Sequence, residues 1–158
     1  ILASFFIVIL ILWNTYNFFQ IFKNEERSKI EIWANAQKTL ANANENTDID
    51  LPFQIISNTT TIPMIVTTSN DLIISHNNIT EGITKDSVAL KKYYHSIKND
   101  NQPIKMELSE DAYQLVYYGN SPLLNKLKYY PIALLLIIFL FAAVVPATNS
   151  AITVNRIR

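Results

Sequence analysis

The chain has 158 residues, of which 49% are apolar and only 16% are charged, against roughly a quarter charged in an ordinary soluble domain. Acidic and basic side chains number 13 each, so no basic field exists to attract nucleic acid, and we expect no nucleic-acid partner. The absence of Cys excludes disulfides, thiol catalysis and Cys-based metal sites, and two glycines are too few for a glycine-rich phosphate loop.

Residues 1–22 form the first apolar segment and carry no charged side chain. As a helix this segment would be about 33 Å long, which is enough to cross a bilayer. Its last residues mix aromatic and polar side chains, a composition typical of the membrane interface. A cleaved signal peptide is the alternative, but no small-residue cleavage site is present and a strongly helical sequence follows. We therefore expect an uncleaved transmembrane helix.

Residues 23–45 contain neither Gly nor Pro, which favours a helix that continues from the first segment. A stripe with alternating spacings of three and four residues runs along it and is mostly apolar. The stripe includes Trp33, Ala36, Leu40 and Ala43. It predicts a seam between two copies in a homodimer. Alternatively, one face of this helix covers the following domain through Ile30, Trp33, Ala34, Gln37 and Leu40.

An Asn/Asp-rich break at residues 42–50 precedes a short helix or turn, residues 51–59, whose apolar side chains we expect to be buried. Two β-branched runs follow, residues 62–68 and 72–79, separated by the turn formers Ser69, Asn70 and Asp71. This pattern predicts a β-hairpin.

The second half of the middle region repeats the order of helix and hairpin. Residues 84–86 offer polar caps for a helix of about 12 residues in which apolar side chains recur at helical spacing. Residues 104–108 and 112–118 then predict a second hairpin. Together, residues 23–128 are predicted to form one small α+β domain.

Residues 129–147 form the second apolar segment, which begins with two tyrosines suited to the interface and is apolar on all sides. We expect a second transmembrane helix that Pro146 stops or kinks. The tail, residues 148–158, has Arg156 and Arg158 as its only charges, which favours a cytoplasmic location. Two crossings then place residues 23–128 in the periplasm and the chain in the inner membrane.

The order of elements is transmembrane helix, long helix, short helix, hairpin, helix, hairpin, transmembrane helix. It resembles the extracytoplasmic PAS-like sensors of bacterial membrane receptors, above all in IPMIVTTSNDLIISHNNI, which is similar to their first two strands. More specifically, the chain resembles the N-terminal part of membrane sensor histidine kinases of the Bacteroidetes type. The segments that carry this resemblance are YYHSIKNDNQPIKMEL and YQLVYYGNSPLLNKLKYYPIALLLIIFLF.

The resemblance implies a PAS-like sheet and a role in two-component signal transduction. In such kinases a phosphoacceptor helix and an ATP-binding domain follow the second membrane helix, whereas here only the short tail follows, so we expect a truncated product. Neither His76 nor His95 has the setting of a phosphoacceptor. We therefore expect no catalytic residue in this chain. The spacing of His76, His95, Asp86 and Asp100 matches no tight metal site, so we expect no metal, and we expect no cofactor.

PAS-like sensors bind ligands between the sheet and a helix, which gives this sequence a set of candidate ligand-binding residues. They are His76, Tyr93, Tyr94, Tyr113 and Tyr117. Packing in the core is the alternative, because half-buried tyrosines are common in strands.

Two classes of function remain open. In the first, the chain senses a small molecule or an envelope protein outside the cell and transmits the signal through its two membrane helices. In the second, it is a membrane-anchored scaffold that binds another envelope protein and has no signalling output. The expected partners are the lipid bilayer and a second copy of the chain.

Overall fold

A computed structural model describes residues 1–157, which form five helices and four strands. The elements in chain order are α1 (Leu2–Ala41), α2 (Asp50–Asn58), β1 (Met64–Thr68), β2 (Ile73–Asn77), α3 (Glu81–Thr84), α4 (Ser87–Ile97), β3 (Ile104–Glu107), β4 (Tyr113–Tyr118) and α5 (Pro122–Ile157). The chain divides into two compact units. Residues 20–124 form the α+β unit, while residues 1–19 and those from 125 onward form the apolar unit.

The apolar unit consists of the first part of α1 and most of α5. Both helices are long and apolar enough to cross a membrane, and their most apolar windows are not buried within the protein. Large hydrophobic side chains on both, such as Phe6 and Phe139, are exposed. The prediction of two apolar helices is confirmed.

Helix α5 differs from the expectation at both ends. It begins at Pro122, a residue favoured in the first turn of helices because its missing N–H is not needed there. It also continues through Pro146, where the sequence predicted a stop or kink, as far as Ile157. Pro146 has no backbone N–H and so removes one hydrogen bond of the helix. In the same turn, the Thr148 hydroxyl donates a hydrogen bond to the Val144 carbonyl. The predicted tail therefore continues the helix as far as Ile157.

A four-stranded antiparallel sheet forms the centre of the α+β unit, with the strand order β2-β1-β4-β3. Both predicted hairpins are present. The first turns at residues 69–71, where Asp71 has a positive φ of 61°, a conformation that Asp tolerates better than most residues. Pairing of β1 with β4 joins the two hairpins, and Ile65 lies opposite Tyr117 in that ladder.

Alternate side chains of the sheet pack against two different helices. One face contacts α1 through a core that contains Ile30, Trp33 and Ala34 of the helix. The other face contacts α4 through a smaller core that contains Tyr94 and Ile97 of that helix. The sheet is thus the middle layer between α1 and α4. This arrangement follows from the period of two in strands, which sends neighbouring residues to opposite faces.

Of the three shorter helices, α2 and α4 were expected from the sequence and α3 was not. Helix α2 is present, but Leu51 and Phe53, which were expected to be buried, are 64% and 63% exposed. Their helix has only nine residues, and its partly buried side is formed instead by Ile55 and Ile56. Helix α4 starts as predicted, because the Asp86 side chain accepts a capping hydrogen bond from the Val88 N–H. Helix α3 was not anticipated.

Candidate functional site

The structure brings together three of the five predicted ligand-binding residues. Tyr93 and Tyr94 on α4 and Tyr117 on β4 belong to the core between the helix and the sheet. His76 pairs with Ile65 at the outer strand β2 and is exposed. Tyr113 lies at the far end of β4, also exposed, with its ring 4.7 Å from the Lys105 ammonium. His76 and Tyr113 therefore lie outside the tyrosine cluster.

The tyrosines of this cluster contact one another directly. The rings of Tyr94 and Tyr117 meet edge to face with their centroids 5.2 Å apart, a favourable aromatic geometry. Both rings are at least 95% buried. The Lys98 ammonium lies over both rings, 5.4 Å and 5.6 Å from their centroids. These two tyrosines thus pack the space between sheet and helix, in accordance with the core alternative.

Asp71 connects the first hairpin to α4. Its carboxylate accepts a 2.8 Å hydrogen bond from the Lys98 ammonium and a 3.0 Å bond from the Tyr94 hydroxyl. These bonds, with Lys98 contributing most, hold the pKa of Asp71 below its usual value. Burial is the main cause that raises the pKa of Tyr94 to about 12. The sequence marked Asp71 only as a turn residue.

A second polar region lies where the segment after α4 passes helix α1. It contains a concave pocket of about 620 Å³. Helix α1 lines it with Lys23 and Arg27, one helical turn apart, and with Gln20 and Asn24, and the remaining lining residues are 98–103 and Tyr118. Sequence analysis did not single out this pocket. The spacing of Lys23 and Arg27 was the available signal, since residues four apart share a helix face.

Arg27 is the residue that fixes this pocket to the sheet. Its Nη1 donates a 2.9 Å hydrogen bond to the Gln102 carbonyl and a 3.3 Å bond to the Tyr118 hydroxyl, while its Nε lies 3.3 Å from Glu31. The buried Asn101 side chain donates to the Tyr118 carbonyl, which holds the loop in place from its inner side.

Helix α1 is also bonded to the start of α5 within the α+β unit. The carboxylate of Glu26, which is only 9% exposed, accepts hydrogen bonds from the Ser121 hydroxyl and from the Ser121 N–H. The Ser121 hydroxyl in turn accepts a bond from the Leu124 N–H, in the first turn of α5. The negative charge of Glu26 thus lies at the positive end of the α5 dipole.

The predicted dimer stripe is divided by the packing of α1. Trp33 is 1% exposed and belongs to the core against the sheet, and Ala36 is 4% exposed, so neither side chain is accessible to a second copy. Leu40 is partly buried and Ala43 is exposed. The alternative that α1 covers the domain with Ile30, Trp33 and Ala34 is the one the structure shows.

No group of three or more His, Cys, Asp or Glu side chains converges as a metal site within residues 1–157. Comparisons with protein-family models, curated proteins and solved structures gave no match to this chain.

Proposed function

We propose that the chain is the sensing and membrane-spanning module of a bacterial two-component receptor, with a PAS-like domain in the periplasm and two helices in the inner membrane. In this proposal the chain has no catalytic role, and its output is a displacement of the membrane helices. The four-stranded antiparallel sheet with a long N-terminal helix on one face supports the PAS-like assignment.

The observation that carries the proposal is the hydrogen bonding between Glu26 and Ser121. Glu26 belongs to α1 and Ser121 directly precedes α5, and these are the two helices that contain the apolar segments. In this proposal, a rearrangement of the domain that shifts this contact displaces one helix relative to the other. A ligand biases such an equilibrium only by its different affinities for the two arrangements, typically by about 1–3 kcal/mol.

The membrane topology is tested by cysteine labelling, since the native chain contains no Cys. Single cysteines replace Asn44, Asn99 and Ser150, all of which are exposed. In intact cells with a permeabilised outer membrane, an impermeant maleimide should label the cysteines at 44 and 99 but not the one at 150. Equal labelling of all three would contradict the two-pass topology.

The signalling role is tested by joining the chain to the kinase core of a characterised receptor and measuring autophosphorylation. Glu26→Ala removes the carboxylate that joins the two helices, so its basal output should differ severalfold from that of the unmodified fusion. Glu25→Ala is the matched control, because Glu25 is the adjacent acidic residue and is exposed. Equal outputs from Glu26→Ala, Glu25→Ala and the unmodified fusion would contradict the proposed transmission.

A further inference from the structure

We infer that the pocket between α1 and the segment after α4 binds the phosphate of an anionic phospholipid headgroup. This inference rests on the proposed function, because it requires the first part of α1 to lie in a bilayer. It assigns a ligand to a surface that the sensing proposal does not use.

The pocket has hydrogen-bond donors that the protein itself leaves free. The Lys23 ammonium can donate three hydrogen bonds, and the only one described is a long contact of 3.4 Å to the Asp100 carbonyl. Arg27 uses Nε and Nη1 in the contacts to Glu31, Gln102 and Tyr118. None of the contacts described for Arg27 uses its Nη2, which can donate two more bonds.

The charge of the lining favours an anion. Lys23, Arg27 and Lys98 contribute three positive charges, and Asp100 contributes the only carboxylate among the lining residues. Lys98 is paired with Asp71 at 2.8 Å and Arg27 with Glu31 at 3.3 Å, so Lys23 is the lining cation for which no carboxylate partner is described, and Arg27 adds the free donors of Nη2. An ammonium and a guanidinium one turn apart suit a phosphate group, whose oxygens accept several bonds at once.

The position of the pocket along α1 selects a lipid as the source of that phosphate. Lys23 directly follows Phe22, the last aromatic residue of the first apolar segment, and Arg27 lies about 6 Å beyond Lys23 along the helix. The headgroup layer of one leaflet is about 5–8 Å thick. Both cations therefore lie at the depth of the lipid phosphates or just beyond it when the apolar segment spans the hydrocarbon.

The size of the pocket is also compatible with a headgroup. About 620 Å³ falls within the range of roughly 300–1,000 Å³ found for small-molecule sites. The amide side chains of Gln20, Asn24 and Gln102 line the same space and offer donors for the hydroxyl and ester oxygens of a glycerol headgroup.

The test uses the full chain in lipid nanodiscs or detergent micelles and measures retained lipid by native mass spectrometry. With phosphatidylglycerol present, the chain should retain about one molecule per copy in preference to phosphatidylcholine. Lys23→Gln should weaken this retention about fivefold, and Lys23→Gln combined with Arg27→Gln by the product of two such factors. Lys23→Gln alone keeps the test valid if the double variant unfolds, because Lys23 makes only the one long contact described.

Lys126→Gln is the matched control. It removes the same charge close to the second apolar segment, but Lys126 does not line the pocket. Retention that falls equally in Lys126→Gln and Lys23→Gln would show general attraction to an anionic surface and would overturn the inference. Titration of the chain in phosphatidylcholine nanodiscs with inorganic phosphate separates the two sources of phosphate. Binding of inorganic phosphate without selective retention of phosphatidylglycerol would overturn the assignment to a lipid.

The same experiment separates failure of this inference from failure of the proposed function. A chain that enters nanodiscs but shows no lipid preference contradicts only the headgroup site. A chain that remains soluble without lipid or detergent contradicts the membrane assignment, and with it the proposal on which the inference depends.

Discussion

The hydroxyl of Tyr94, on helix α4, donates a 3.0 Å hydrogen bond to the carboxylate of Asp71, in the turn between β1 and β2. This bond joins two residues that are 23 positions apart in the chain. It attaches α4 to the first hairpin next to the edge-to-face contact of Tyr94 with Tyr117.

The Tyr94→Phe variant removes this hydroxyl and retains the ring. It should lower the free energy of unfolding by about 1 kcal/mol, the usual net contribution of a hydrogen bond. Tyr113→Phe is the control, because Tyr113 is exposed and its hydroxyl takes part in none of the hydrogen bonds described. Urea unfolding of the detergent-solubilised chain measures both. Equal stability of the two variants would show that the bond to Asp71 contributes nothing.

Low pH should weaken the attachment of Asp71 to Tyr94 and Lys98. The pKa of Asp71 is lowered in the folded state by hydrogen bonds from Lys98 and Tyr94. A lowered folded pKa means that the stabilisation is fully present above the unfolded value of about 3.9 and is lost as the pH falls through the folded value. Asp71→Asn should remove this part of the acid dependence, and Asn also tolerates the positive φ of this turn. The free energy of unfolding of the parent and of Asp71→Asn is measured in urea from neutral pH downward. If the two free energies fall in parallel with pH, the prediction is wrong.

Gly119 lies in a tightly packed position at the end of β4. A Cβ added there would be 3.2 Å from both Ile97 Cγ2 and Pro63 Cγ, closer than ordinary contact. Gly119→Ala should therefore destabilise the chain by about 1–3 kcal/mol. Gly82→Ala is the matched control, since a Cβ at Gly82 in α3 meets nothing within 4 Å and should be neutral or slightly stabilising. A Gly119→Ala chain as stable as the parent in thermal unfolding would contradict the packing.

Trp33 distinguishes a core role from a dimer seam. Trp33→Ala should cost about 3–5 kcal/mol, because it leaves a large cavity in the core against the sheet. This loss should be the same at every protein concentration, since Trp33 packs in the core of a single chain. Ala43→Asp places a charge on the exposed end of the same stripe and should leave stability unchanged. A destabilisation that disappears at high concentration would restore the dimer seam.

Helix α1 should transmit displacement only while it remains rigid. It is continuous from Leu2 to Ala41, so Gly-Gly in place of the exposed Asn24-Glu25 introduces a flexible point between Glu26 and the apolar segment. In the kinase fusion this variant should lose the change in autophosphorylation that Glu26→Ala produces. Ala-Ala at the same positions preserves helix propensity and should retain the change. An unaltered response in the Gly-Gly fusion would place transmission in α5 alone.

The sequence by itself determined the elements that depend on neighbouring residues. Two uncharged apolar segments predicted the two long helices, because their composition leaves no polar face. Polar turns between strand-like runs predicted both hairpins, and Asp86 marked the start of α4. Each of these signals lies within a few residues of the structure it specifies. Local backbone preference and hydrophobic period are therefore sufficient to identify it.

Only the tertiary structure decided which of these elements meet. The stripe on α1 was compatible with a dimer and with a core, and the pairing of β1 with β4 created the sheet that buries Trp33. The bond between Glu26 and Ser121 joins residues 95 positions apart, and that between Arg27 and Tyr118 joins residues 91 apart. Neither pair has a local signature, because long-range contacts depend on strand order and layer packing, which residue spacing along one chain does not encode.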